Sequence, residues 1–85
     1  MKILIIEDEQ AIVELVTFSL NKYGWSIDFA HNTLDAWQYL QNNRPQLILL
    51  DWMLPDKSGL KLLTRIRSDI NFASIPVIML TAKSM

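Results

Sequence analysis

The chain has 85 residues, of which 51% are hydrophobic and 20% charged, and its formal net charge is −1. This is the composition of one globular domain, not of a disordered segment. Near-neutral charge leaves no electrostatic footprint for DNA or RNA, so no nucleic acid is expected to bind through this segment. Cysteine is absent, which excludes disulfides and thiolate metal sites. No apolar run approaches the roughly 20 residues that span a bilayer, and no secretory leader is visible. The expected setting is the cytoplasm, with no membrane contact.

"KILII" (Lys2 to Ile6) reads as a short buried strand. From Gln10 to Tyr23 the period becomes helical, with Ile12, Leu15, Val16, Ser19, Leu20 and Tyr23 on one face and Gly24 as the stop. "WSIDFA" (Trp25 to Ala30) alternates apolar and polar residues, as an edge strand does. A second helix is predicted from Thr33 to Asn42, burying Ala36, Trp37 and Leu40, with Asn32 or Thr33 as its cap. "LILLD" (Leu47 to Asp51) is a third strand. Ser58 and Gly59 open a third helix with Leu62, Leu63, Ile66 and Ile70 on one face. "PVIMLT" (Pro76 to Thr81) is the fourth strand. The order βαβαβαβ implies right-handed crossovers and a parallel sheet with helices on both faces.

The first strand runs into Glu7, Asp8 and Glu9, the third ends on Asp51, and the fourth ends on Thr81. Ligands of open α/β sheets bind beyond the carboxyl ends of the strands, where the strand order reverses. If the first and third strands are neighbours, Glu7, Asp8 and Asp51 meet there. Two readings of "EDE" stand at this point. Acidic residues at a helix N-terminus cap free N–H groups and offset the dipole. Converging carboxylates instead raise one another's pKa or recruit a cation. An all-oxygen donor set favours a hard ion such as Mg²⁺. No Gly-rich loop follows the first strand, which argues against a phosphate cradle for a flavin or nucleotide. A carboxylate beside Mg²⁺ is able to act as a nucleophile toward phosphorus, and Thr81 offers a hydroxyl to a phosphoryl oxygen.

"ILIIEDE", "LILLDWMLPDKSG" and "IPVIMLTA" resemble the acidic pair, phosphoacceptor strand and switch-threonine strand of the receiver domain of bacterial two-component response regulators. "LLDWMLP" is similar to the PhoB/OmpR-type transcriptional regulators of that family. The resemblance covers essentially the whole chain. It implies a CheY-like (flavodoxin-like) three-layer α/β/α fold with a parallel sheet in the order 2-1-3-4. It implies that Asp51 is the phosphoacceptor and that Mg²⁺ (or Mn²⁺) is held by Asp8, Glu7, Asp51 and the backbone carbonyl of Met53. It also implies that Thr81 and the backbone N–H of Ala82 contact the phosphoryl group. The implied phosphodonor is a histidine kinase. The implied output is a DNA-binding, transcription-regulatory domain that this chain does not include. The chain is expected not to be an enzyme beyond self-catalysed phosphoryl acceptance and hydrolysis.

The family's fold continues with a helix, a fifth strand bearing a phosphoryl-pairing Lys, and a final helix, so the chain is expected to be an incomplete receiver over residues 1–85. Lys83 is not the counterpart of that Lys. The fourth strand then becomes an open edge, through which self-association is expected. Two alternatives stand beside this reading. A haloacid-dehalogenase-type phosphotransferase needs a second Asp two residues after the nucleophile, and Met53 stands there. A truncated, non-phosphorylatable receiver acting only as an interaction module is the alternative for a chain without the Lys.

Overall fold

The computed structural model describes residues 1–80. Seven elements follow one another as β1 (Lys2–Ile6), α1 (Gln10–Asn21), β2 (Ser26–Ala30), α2 (Thr33–Asn42), β3 (Leu47–Asp51), α3 (Gly59–Ser68) and β4 (Val77–Leu80). All strand pairings are parallel and the sheet order is β2-β1-β3-β4. This is the expected flavodoxin-like arrangement. The reversal of strand order lies between β1 and β3.

Side chains alternate across a strand, and here the alternation sorts them into two cores. Leu4, Ile6, Ile48 and Leu50 face the side covered by α2 and α3, together with Ala36, Leu40, Leu62 and Ile66. Ile3, Ile5 and Leu49 face the other side, against Val13 of α1. Because both faces of β1 and β3 are covered, their residues are almost all buried, which is why they read as unbroken apolar runs. Among the described residues β2 pairs with β1 alone, and it is less buried than β1 or β3, as an edge strand should be; the strict alternation expected for it is not seen.

Local chemistry sets the helix ends. The Asn32 side chain accepts from the Asp35 N–H (2.7 Å), and the Ser58 hydroxyl accepts from the Lys61 N–H (3.3 Å). α1 closes at Gly24, whose φ of 74° is the left-handed geometry that glycine adopts without strain.

Two further expectations are corrected, and one core segment is new. The buried stripe of α1 is Val13, Val16 and Leu20, whereas Leu15 (62% exposed), Tyr23 and Ser19 face outward. The apolar residues of α1 form two overlapping stripes, and only packing on β1 and β2 selects between them. Ile70 is 93% exposed because α3 ends at Ser68, two residues before it. The segment between α3 and β4 supplies core residues Phe72 and Ile75, which no periodicity announced. Phe72 meets Trp37 edge-on with centroids 5.4 Å apart. Arg67 ties the same segment down by donating to the carbonyls of Ala73 (3.1 Å) and Ile75 (2.8 Å).

β4 bonds to β3 alone among the described residues, and its Ile78 is 53% exposed on the α1 side. Also among the described residues, no helix is long and apolar enough to cross a membrane.

Candidate functional site

The strand register builds the site. Ile6 pairs with Leu50, so Glu7 and Asp51, each the next residue along, leave adjacent strands at the same level. Glu7 has the parity of Ile3 and Ile5, and Asp51 that of Leu49, so both point to the α1 side. Asp8 turns off the end of β1 and is exposed. Carboxylate oxygens of Glu7, Asp8 and Asp51 all lie within 4.8 Å of one another.

Glu7 and Asp51 are each only 3% exposed. The Glu7 N–H donates to the Ala30 carbonyl (3.0 Å), which fixes the end of β1, and Glu7 Oε2 accepts from the Glu9 N–H (3.1 Å). Glu9 occupies the N-cap position of α1 but makes no side-chain capping bond there. Asp51 Oδ2 is buried and has no hydrogen-bond partner among the described residues. Two carboxylates at this separation repel by roughly 3 kcal/mol at an effective dielectric near 20. That exceeds the ~1 kcal/mol a good cap contributes. Capping of the Glu9 N–H by Glu7 accounts for one carboxylate of the cluster and leaves the buried Asp51 unexplained. The orphaned oxygen and the hard, all-oxygen donor set fit a small divalent cation.

The loop after Asp51 is tightly tied. An antiparallel bridge joins Met53 and Ser58, and the Gly59 N–H donates to the Trp52 carbonyl (2.7 Å). Met53 thus sits two residues beyond Asp51 in a closed loop, with its side chain exposed. Gly59 packs directly beneath this turn. A Cβ there would stand 2.1 Å from the Asp51 carbonyl oxygen. Thr81 and Ala82, expected to contact a phosphoryl group, lie outside the described residues, as does Lys83.

Sequence reasoning passed over Asp56. Its carboxylate accepts from the Thr33 N–H (3.0 Å), the Thr33 hydroxyl (2.8 Å) and the Leu34 N–H (3.1 Å). Burial pushes its pKa up, but the hydrogen bonds from Thr33 and Leu34 together outweigh this and hold it at about 2. No local signal could have found this contact, because the partners are more than 20 residues away in sequence.

A doubly wound parallel sheet with carboxylates gathered at its switch point defines a receiver-like α/β domain. The response regulator receiver domain family matches residues 3–85, and the chain belongs to that family. It is 44% identical over 81 residues to the phosphate regulon transcriptional regulatory protein PhoB of Pseudomonas aeruginosa, covering 95% of this chain and 35% of that protein. The chain therefore spans about a third of the length of this curated relative. Among solved structures it resembles the phosphorylated cyanobacterial phytochrome response regulator RcpA (32% identity, TM-score 0.89, 99% of this chain and 66% of that one). It also resembles the Mn²⁺-bound form of response regulator Rcp1 (33% identity, TM-score 0.89, 98% of this chain and 66% of that one).

Proposed function

We propose that Asp51 accepts a phosphoryl group from a phosphohistidine of a histidine kinase. One carboxylate oxygen of Asp51 attacks phosphorus, a P–O bond forms, and the P–N bond breaks. The departing imidazole nitrogen keeps the electron pair and takes a proton from solvent. The observation that carries this reading is Asp51 Oδ2, buried and without a hydrogen-bond partner among the described residues, within reach of Glu7 and Asp8. Asp8, Glu7, Asp51 and the Met53 carbonyl would hold Mg²⁺ (or Mn²⁺), which when bound neutralises phosphoryl oxygens during transfer. Thr81 and the Ala82 N–H are the proposed contacts of the transferred group. A phosphorylated RcpA and a Mn²⁺-bound Rcp1 support the reading by similarity. In a longer cytoplasmic protein the acceptor would control a DNA-binding domain, as the likeness to PhoB suggests.

Trp52 adjoins Asp51 and is part-exposed, so its fluorescence reports on the site. Titration with Mg²⁺ should change it in the wild type and not in Asp51→Asn, and beryllofluoride should add a second, Mg²⁺-dependent change. Wild-type protein that gives no such response, or an Asp51→Asn variant that keeps it, refutes the reading.

A second reading concerns assembly. The edge of β4 and the exposed Ile78 favour pairing of two copies of the chain along this strand. Sedimentation that finds only monomer across a wide concentration range excludes it.

A further inference from the structure

An isolated helix leaves its first four N–H groups without partners. In α2 the N–H groups of Thr33, Leu34 and Asp35 find side-chain partners, and that of Ala36 makes the first bond of the helix itself. The Ala36 and Asp35 N–H groups go to the backbone oxygen and side-chain oxygen of Asn32, respectively. The first two, from Thr33 and Leu34, go to Asp56, a residue of the loop that follows Asp51. The Thr33 side chain, 5% exposed, also donates to Asp56. One carboxylate, from a different element, thus takes two of the three N–H groups that side chains cap. Its charge also suits the positive end of the helix.

The same contact acts on the loop. Residues 52–58 are fixed at their base, where Asp51 belongs to β3, where Met53 bridges Ser58, and where Gly59 bonds to Trp52. Their outer part, Pro55 to Lys57, is exposed. The described side-chain hydrogen bonds that leave it for another element are those of Asp56 to α2. We propose that Asp56 is a positioning residue, which holds the Met53 carbonyl in place for the cation by anchoring its loop to the first turn of α2. The anchor makes α2 and the cation site respond to each other, since coupling between two sites is reciprocal. This inference rests on the metal-binding reading given above.

The test compares Asp56→Ala, Asp56→Asn and Asn32→Ala in the full chain, with Mg²⁺ as the probe. Partners that orient metal ligands are typically worth about 10- to 100-fold in affinity. Asp56→Ala should weaken Mg²⁺ binding, read by Trp52 fluorescence, by about tenfold or more. Asp56→Asn loses the same charge but keeps one acceptor oxygen, so its loss should be smaller. Asn32→Ala removes a cap of the same helix without touching the loop. It should lower thermal stability and leave Mg²⁺ affinity unchanged. Reciprocally, saturating Mg²⁺ should slow hydrogen exchange at the Thr33 and Leu34 amides in the wild type and not in Asp56→Ala.

Equal losses in Asp56→Ala and Asp56→Asn would reduce the effect to charge and overturn the proposal. So would Asn32→Ala matching Asp56→Ala in affinity, or wild-type affinity in Asp56→Ala. Absence of any Mg²⁺ response in the wild type overturns the metal reading itself, a result distinct from those three.

Discussion

Replacing Gly59 by Ala puts one methyl group against the end of β3. The new Cβ would lie 2.1 Å from the Asp51 carbonyl oxygen and 3.1 Å from the Trp52 carbonyl oxygen. Even close C···O contacts run to about 3.3 Å, so a gap of roughly 1.2 Å must open. Neither atom is the tip of a flexible side chain. Asp51 is held in β3, which pairs with β1 on one side and β4 on the other. Gly59 itself is drawn toward Trp52 by a 2.7 Å hydrogen bond. Left-handed strain has no part in this, since the glycine with positive φ is Gly24. Alanine's better helix propensity works the other way, by up to about 1 kcal/mol at an interior position and less at the first residue of α3. Overpacking typically costs about 1–3 kcal/mol, more when backbone must move. The clash should win, with a net loss of about 1–3 kcal/mol. For a domain of this size each kcal/mol shifts Tm by about 4–8 °C. Thermal unfolding followed by circular dichroism should therefore show a fall of about 5–20 °C. Mg²⁺ binding should weaken as well, because the displaced atoms belong to Asp51 and Trp52. Gly24→Ala is the control. Nothing lies within 4 Å of its Cβ, so only left-handed strain of about 1–2 kcal/mol is expected, with the cation response intact. A Gly59→Ala protein as stable as the wild type, with unchanged Mg²⁺ affinity, would refute the reasoning.

Asp51→Asn removes one member of a crowded carboxylate set, so without divalent cation it should be more stable than the wild type, and added Mg²⁺ should no longer stabilise it. Equal chemical-denaturation midpoints in the absence of Mg²⁺ would contradict this. Asp56 has its pKa lowered from 3.8 to about 2, so its contribution is present above pH 4 and is lost as pH falls through about 2. Protection factors of the Thr33 and Leu34 amides, corrected for intrinsic exchange, should accordingly hold at pH 4 and fall toward pH 2. Early loss of protection between pH 5 and pH 4 would show that another group governs the turn. Ile78→Lys places a charge on β4, which pairs with β3 alone among the described residues, and should reduce any concentration-dependent association in sedimentation. Association that is indifferent to this change would put the contact elsewhere.

Much of this molecule was legible in its residues. The unbroken apolar runs of β1 and β3 could only be strands covered on both faces, and the βαβ alternation left little freedom in topology. α2 was readable to the residue, because the cap at Asn32 and the end of the apolar period bracket it. Glu7, Asp8 and Asp51 were recognisable as strand-end carboxylates. Their convergence follows once β1 and β3 pair in register. Each of these features depends on short-range pattern or on the fixed chirality of parallel crossovers.

Other features were decided only by tertiary packing. α1 carries apolar residues on two overlapping stripes, and the choice of Val13, Val16 and Leu20 over Leu15 and Tyr23 belongs to the sheet beneath it. Phe72 and Ile75 enter the core from a segment with no regular period, since burial there depends on α2 and α3 being already in place. Asp51 Oδ2 is buried without a hydrogen-bond partner among the described residues, a result of how β3 sits between its neighbours in the sheet. The bond from Asp56 to α2 joins residues more than 20 apart, and only the folded chain brings them together. The residue types at the strand ends state which chemistry is available. Three-dimensional packing sets the separations and the desolvation on which that chemistry depends.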